Sequence, residues 1–497
     1  MSWSQVSKSR WERPAGGMEG FFTVMENTSS ALCGGRRQFT IFSRLKVDLQ
    51  IPAAEVEDAL RYAWKQLRYE QPQIAVTSEG FNKIYEVPDE ATLQSWLNRT
   101  FIVSDYADGE TIGNEAKPIE QATLYYVPKA SQLVIRVSHS VVDGVGMMLV
   151  WHSYLNALTN PKPNLVFGEE TTRLPPSLEK ALGHPDVLPE ETAAKGAEIT
   201  ADTVGFLPGF GPPSRIGSVP AGPTQRRDFE FSEQATAAIV QACRRNGYSV
   251  TAAVHAALAL TVVKHADPAQ ITERTMYATV NSFNLRSHLP APYSSTAAAV
   301  YYSIWPLILK RPESFEEVVR LIDENYKTSF NGNAENLALT GSVTGALCDT
   351  VKTPEFWSAP PARDALVSSL GIVERYLRQS YASADNGRLV TVESFKLGTE
   401  IILGHRIAYD GYFPSTTDLS QLYVLSIDGE HYPATFTFEN LLWTFILPAV
   451  ESLALVTGVH PFPTRGPMER LLGAAALTVC WEPTKNSWTF RWATTMS

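Results

Sequence analysis

The chain has 497 residues, 44% hydrophobic and 19% charged, with a formal net charge of -10. That is ordinary globular composition, which excludes wholesale disorder, and without a basic stripe it gives no support to nucleic-acid binding. Four dispersed cysteines, Cys33, Cys243, Cys348 and Cys480, form no C-x-x-C pair, so thiol-redox and zinc chemistry lack ligands.

At ~100–200 residues per domain the length predicts two to four domains or subdomains. The first residues carry no apolar run, so no secretory signal is read there. Within residues 53–67, Val56, Leu60, Ala63, Trp64 and Leu67 share one helical face, which predicts an amphipathic helix. Residues 122–128 and 132–138 mix β-branched and aromatic side chains around a short Pro-Lys-Ala-Ser link, an antiparallel hairpin signal. Next comes "RVSHSVVDGVGMML", residues 136–149, where a strand pattern ends and a helix pattern running to Leu158 begins.

Prolines then crowd residues 159–223. A residue without an N–H and with a fixed φ excludes one regular element there, so this stretch reads as a crossover between two halves.

The second half opens with a strand at 226–232 and a helix at 233–245, stopped by Asn246-Gly247. A very apolar helix at 249–266 takes Ser249 or Thr251 as its cap. A strand within 274–290 ends in a polar loop, and another strand lies in 297–309. A helix spans 314–330 with Ser314 at its N-cap. Segments 365–374, 389–398, 400–413 and 421–438 read as further strands, and 440–455 as a closing helix. Residues 441–459 are the longest apolar stretch. Glu451 and Pro448 within it favour a buried core helix over a membrane span, since a central carboxylate costs ~2.5–3.5 kcal/mol in lipid. The tail, 460–497, shows no clear series of elements. The predicted organisation is an N-terminal lobe (1–158), a Pro-rich crossover (159–223), a C-terminal lobe (224–459) and an atypical tail (460–497).

Chemistry concentrates at the strand exit. Histidine exchanges a proton near neutrality, its unperturbed pKa being ~6.5. At a strand end, His139 can point into a cleft from a rigid base. Asp143 is placed to pair with a basic residue, and Gly144 permits close backbone approach at the helix start. His139 and Asp143 lack the further ligands a metal site needs, so no metal is assigned. The nearest approach to a hydrolase nucleophile elbow, "GSVTG" at 341–345, has Val343 where the serine belongs. His255, in an apolar helix, reads as a satisfied core residue, whereas His288 and His405 fall in loops.

"HSVVDG" after an apolar strand resembles the HxxxDG motif of the CoA-dependent acyltransferase superfamily. "VNSFNLRSHLP" (280–290) resembles that family's arginine loop, and "VSSLG" (367–371) its strand-to-turn segment. Fungal secondary-metabolite O-acetyltransferases, such as those acting on trichothecenes, look closest. The DFGWG motif of the plant branch is missing; "LGHRIAYDGYF" (403–413) lacks its tryptophan.

The resemblance implies a mixed α/β, two-lobed fold like chloramphenicol acetyltransferase, with a channel between lobes. It implies O-acyl transfer from acyl-CoA, most simply acetyl-CoA, to the hydroxyl of a small hydrophobic metabolite, with no tightly bound cofactor and no acyl-enzyme. His139 would be the general base and Asp143 a structural carboxylate paired with Arg286. Ser368, Ser369 and Asn284 are candidates for the oxyanion site or channel wall. The expected protein is a cytoplasmic monomer with no nucleic-acid partner and no membrane span. Two alternatives stay open: a non-catalytic ligand-binding relative, and an N-acyl or condensation-type enzyme with an amine acceptor.

Overall fold

The computed structural model describes residues 2–211, 224–231, 233–359, 365–383, 387–402, 406–412, 420–428, 477–482 and 487–492, with only the backbone through most of 225–236 and from 406 onward. The fold is mixed α/β.

A six-stranded sheet organises the first lobe. Its order is Ser380–Ala382, Leu389–Thr399, Thr40–Gln50, Gln132–Ser138, Thr123–Val127 and Phe101–Val103. All pairings are antiparallel except that of the last two strands. Strand Thr40–Gln50 is buried on both faces from Thr40 to Leu45. Ile41, Leu45 and Val47 enter the large core, while Phe42 enters a smaller one with Ile112, Tyr125 and Val134. Helices Val56–Glu70 and Gly144–Thr159 pack against each other, and Leu60, Trp64, Leu67, Trp151 and Tyr154 place them in the large core. Burying a Leu- or Phe-sized side chain contributes about 1.5–3 kcal/mol, so this layer holds the motif strand and the motif helix in fixed relation.

The second lobe has a four-stranded sheet ordered Ala365–Ile372, Arg406–Tyr412, Ser420–Asp428 and Thr224–Phe231. Beside it Tyr277–Asn284 pairs antiparallel with Tyr302–Leu309. Helices Val250–Lys264 and Phe315–Thr328 cover a core of Ala252, Ala256, Tyr277, Leu307, Val319 and Ile322. Three further helices, Gly17–Leu32, Glu190–Gly205 and Ala334–Thr350, pack in series through the last of them. Among the described residues no single helix is long and apolar enough to cross a membrane.

Several expectations need correction. Residues 380–399 fall within the expected 224–459 lobe, yet Leu389–Thr399 pairs along its whole length with Thr40–Gln50 in the first sheet. Alternation of side chains identifies a strand but says nothing of which sheet edge it joins. The 159–223 crossover contains a 16-residue helix, Glu190–Gly205, that its prolines flank. Ser314 stands at the helix start but makes no side-chain cap bond. The strand expected within 297–309 begins only at Tyr302. Helices Gly17–Leu32 and Ala334–Thr350 have no counterpart among the predicted elements. In the tail, Leu477–Glu482 and Ser487–Trp492 form an antiparallel hairpin. The helix expected at 440–455 lies outside the described residues.

The shared strand leads to a prediction. Phe395, fully buried and opposite Leu45, belongs to the first core although it arrives from the second half of the chain. Phe395→Ala should cost about 3–5 kcal/mol, read as a lower midpoint in urea unfolding. Near-wild-type stability would show that the returning strand contributes little.

Candidate active site

Strand Gln132–Ser138 is anchored by Leu133, Val134, Ile135 and Val137, all at most 2% exposed. It stops at a tight turn, in which Val141 N–H donates to the Ser138 carbonyl at 3.0 Å. His139 sits in that turn. The chain then enters helix Gly144–Thr159, whose N-cap is Asp143.

Asp143 has no spare oxygen. Oδ1 accepts from Gly146 N–H at 2.5 Å, capping the helix. Oδ2 accepts from Arg286 Nη1 at 2.9 Å and from Tyr301 N–H at 2.7 Å. The Asp143 N–H donates to the Ala299 carbonyl at 3.2 Å. Arg286, 2% exposed, also donates through Nη2 to the Ala299 carbonyl at 2.9 Å. Asp143 and Arg286 thus meet as a buried ion pair, with the carboxylate's other bonds going to backbone amides and the guanidinium also donating to the Ala299 carbonyl and the Asn284 side chain. The carboxylate holds the loop and is not available to a substrate. From the first lobe, Gln71 Nε2 donates to the Thr296 carbonyl at 2.8 Å, and Gln73 donates to the Ala298 carbonyl.

Two glycines allow this approach. A Cβ at Gly144 would lie 3.0 Å from Leu370 Cδ2 and 3.4 Å from Leu397 Cδ2, on strands Ala365–Ile372 and Leu389–Thr399. At Gly146 it would lie 2.5 Å from Val142 Cγ2 and 2.9 Å from the Ala299 carbonyl, distances that a real side chain does not tolerate.

The His139 ring stacks on Phe22, with centroids 3.9 Å apart and planes at 11°. Tyr302 stands 5.8 Å away on another side. Nδ1 is enclosed with no hydrogen-bond partner, although the residue as a whole keeps some accessible surface. The ring is therefore deep but reachable, with Nε2 as the nitrogen left to meet another molecule. Burial pushes its pKa down to about 4, against the opposing pull of its own carbonyl, the Asp143 charge and the Val142 carbonyl. At neutral pH the imidazole is uncharged and holds a lone pair for a proton.

The other candidates fall in different places. Asn284 is exposed, and its amide is already engaged: Oδ1 accepts from Arg286 N–H at 3.1 Å, and Nδ2 donates to the Tyr376 hydroxyl at 3.0 Å. It braces the arginine. Ser369 Oγ lies 2.8 Å from Thr251 Oγ, and Ser368 is half-buried on the other face of the strand. Their strand reaches the motif through Leu370, next to an irregularity between Ser369 and Gly371. His255 is buried between the Tyr277 and Tyr326 hydroxyls, at 2.9 and 3.3 Å, as a core histidine. His405 lies outside the described residues. A cavity of about 300 Å³ between the 17–32 and 334–350 helices, reaching His184 and Lys352, contains no motif residue and is not the site of this chemistry.

Phe22 and the 297–301 backbone were not found from sequence. Met18, Phe22, Met25 and Ser29 do recur at helical spacing, which is the signal that could have exposed the first helix.

No protein-family model matches the chain. It is 30% identical over 376 residues to the O-acetyltransferase pigM of Monascus ruber, covering 73% of this chain and 70% of that protein. It is 28% identical over 392 residues to the acetyltransferase pigO of the same organism, covering 77% of this chain and 84% of that one. In structure it resembles the trichothecene 15-O-acetyltransferase TRI3 of Fusarium sporotrichioides, with a TM-score of 0.76 and 16% identity over 92% of this chain and 98% of that one. The chain belongs to the fungal O-acetyltransferase family of pigM, and is an acyltransferase.

Removing either partner of the buried pair leaves the other charge uncompensated. Asp143→Ala and Arg286→Ala should each cost about 3–5 kcal/mol in chemical denaturation. The double variant should cost less than the sum. Strict additivity would show that the contact carries no coupling.

Proposed function

We propose that the chain transfers an acetyl group from acetyl-CoA to the hydroxyl of a small apolar metabolite, with His139 as general base. The observation that carries this reading is a neutral, deeply placed imidazole held at a strand exit by a capped and ion-paired loop.

In the reaction, the acceptor hydroxyl gives its proton to His139 Nε2 as its oxygen attacks the thioester carbonyl. The C–S bond then breaks, and the imidazolium returns the proton to the departing thiolate, giving ester and free CoA thiol. Negative charge developing beside the ring raises its proton affinity at the moment of transfer, which offsets the low pKa of the resting state. Asp143 is fully committed to Gly146, Tyr301 and Arg286, so its part is to hold the loop. Burial pushes the Cys348 thiol up and that of Cys243 up to about 11, which leaves both poor nucleophiles and favours direct transfer within a ternary complex. The rings of Phe22 and Tyr302 around His139 favour an apolar alcohol. The name of TRI3, a trichothecene 15-O-acetyltransferase, agrees with a hydroxyl as the acceptor.

The test follows free-thiol release from acetyl-CoA over a panel of hydrophobic alcohols and matched amines. Release with alcohols supports the reading, release with amines alone replaces it with N-acylation, and none with either points to a non-catalytic relative. With an active acceptor, His139→Ala should lower kcat by about 10²–10⁴-fold, with the melting temperature little changed. A variant retaining wild-type kcat would remove His139 from the mechanism.

The pH dependence has a definite sign. The ordinary histidine value is 6.5 and the folded value about 4. Between these values the unfolded chain binds a proton that the folded chain refuses. This contribution to stability is therefore complete above about 6.5 and is lost as pH falls through about 4. The acid limb of kcat/KM, which reports the free enzyme, should accordingly fall near 4. A limb at 6.5 would mean that the ring is solvated.

A further inference from the structure

The first helix does more than supply Phe22. Glu19, Phe22, Glu26 and Ser29 recur at three- and four-residue spacing on its buried side. One turn beyond the ring that stacks on His139, Glu26 is 6% exposed. Its Oε1 accepts from Ser138 Oγ at 2.5 Å. Ser138 Oγ also accepts from Ser140 N–H at 3.1 Å and lies 2.6 Å from Ser140 Oγ. With Ser140 Oγ as donor in that contact, Ser138 gives one hydrogen bond and takes two, the full capacity of a hydroxyl. The residues immediately before and after His139 are thereby tied to one carboxyl group on a separate element.

That carboxyl group is expensive where it stands, because burying an acid without a paired cation has a large desolvation cost. Lys83, from strand Asn82–Glu86, and Arg37, in the loop after the helix, are the positive charges that act on it. Lys83 Nζ donates to Ser78 Oγ at 3.0 Å. Burial outweighs both and raises the Glu26 pKa. The helix itself is pinned at its start by the buried Arg13–Glu19 pair, at 2.6 and 2.7 Å. Neither the helix cap nor the Asp143–Arg286 contact uses Glu26, and the polar contacts of its carboxyl group lead to the peptides flanking the base.

We infer that Glu26 is a positioning residue for the base: through Ser138 and Ser140 it holds the turn that carries His139, while Phe22 on the same helix face holds the ring. Asp143 and Arg286 secure the chain after the histidine, and Glu26 secures it before and at the turn. This rests on His139 being the base, and its test is arranged so that the two ideas fail differently.

The full-length chain is assayed as wild type, Glu26→Ala, Glu26→Gln, Ser138→Ala, Glu26→Ala/Ser138→Ala and His139→Ala. Measured are kcat, KM, the acid limb of kcat/KM and the melting temperature. Loss of the tether lets the turn drift, and a displacement near 1 Å costs ~10²-fold. Glu26→Ala should therefore lower kcat by roughly 10–100-fold with KM little changed. Its acid limb should move up toward the ordinary histidine value as the ring gains solvent. Glu26→Gln keeps an acceptor for Ser138 and should recover most of kcat. The double variant should be no worse than Glu26→Ala alone, because both break the same tether. If Glu26→Ala does not fold, Ser138→Ala, which loses one hydroxyl, carries the same expectation of lowered kcat. Wild-type kcat and an unmoved acid limb in Glu26→Ala, or in Ser138→Ala where that variant stands in, overturn the inference while His139→Ala remains inactive. An active His139→Ala overturns the base assignment itself.

Discussion

The contact between Asp143 and Arg286 is the constraint on which the site depends. Both groups are almost completely buried, and the cost of removing them from water is offset only because every strong valence of the carboxylate is filled. One oxygen caps the helix that follows the motif, and the other receives a guanidinium and a backbone amide from the second half of the chain. The geometry therefore works as a three-way lock between the motif loop, the arginine turn and the segment entering strand Tyr302–Leu309. An apolar pair of equal volume would pack there, but would not specify how these three segments meet.

Around that lock, burial holds the His139 imidazole below the usual histidine range. Phe22 covers one face of its ring, Tyr302 stands nearby, and Nδ1 is enclosed. Burial disfavours the protonated form, and the Asp143 charge four residues away does not reverse the balance. In the proposed reaction the resting imidazole is neutral, and the charge that develops beside it makes proton transfer favourable.

The lobes are not independent modules. Strand Leu389–Thr399 leaves the second half to complete the sheet of the first, and its Leu397 reaches Gly144. Gln71 and Gln73 reach the other way, to the backbone at 296 and 298. Exchange of chain in both directions fixes the lobes relative to one another at the point where His139 stands. A shift of one half would be felt at His139.

Local patterning was enough to locate the motif strand, the hairpin before it and the helix after it, since side-chain periods of 2 and 3.6 are written in consecutive residues. The HSVVDG motif and the 286 arginine were legible for the same reason, as short texts at a strand exit and a turn. The family also followed from them. The sequence could not say that Leu389–Thr399 joins the first sheet, because pairing partners far apart in the chain leave no local trace. Nor could it say that Asn284 hydrogen-bonds the Arg286 amide, since a polar residue in a loop has the same pattern whatever its partner. Phe22 and Glu26 lie more than a hundred residues from His139, and only packing of the first helix across the strand exit brings them to it. Residue chemistry along the chain thus singled out His139 as the group proposed to take a proton. The tertiary structure decided its charge state and its orientation, because both depend on what is packed around it.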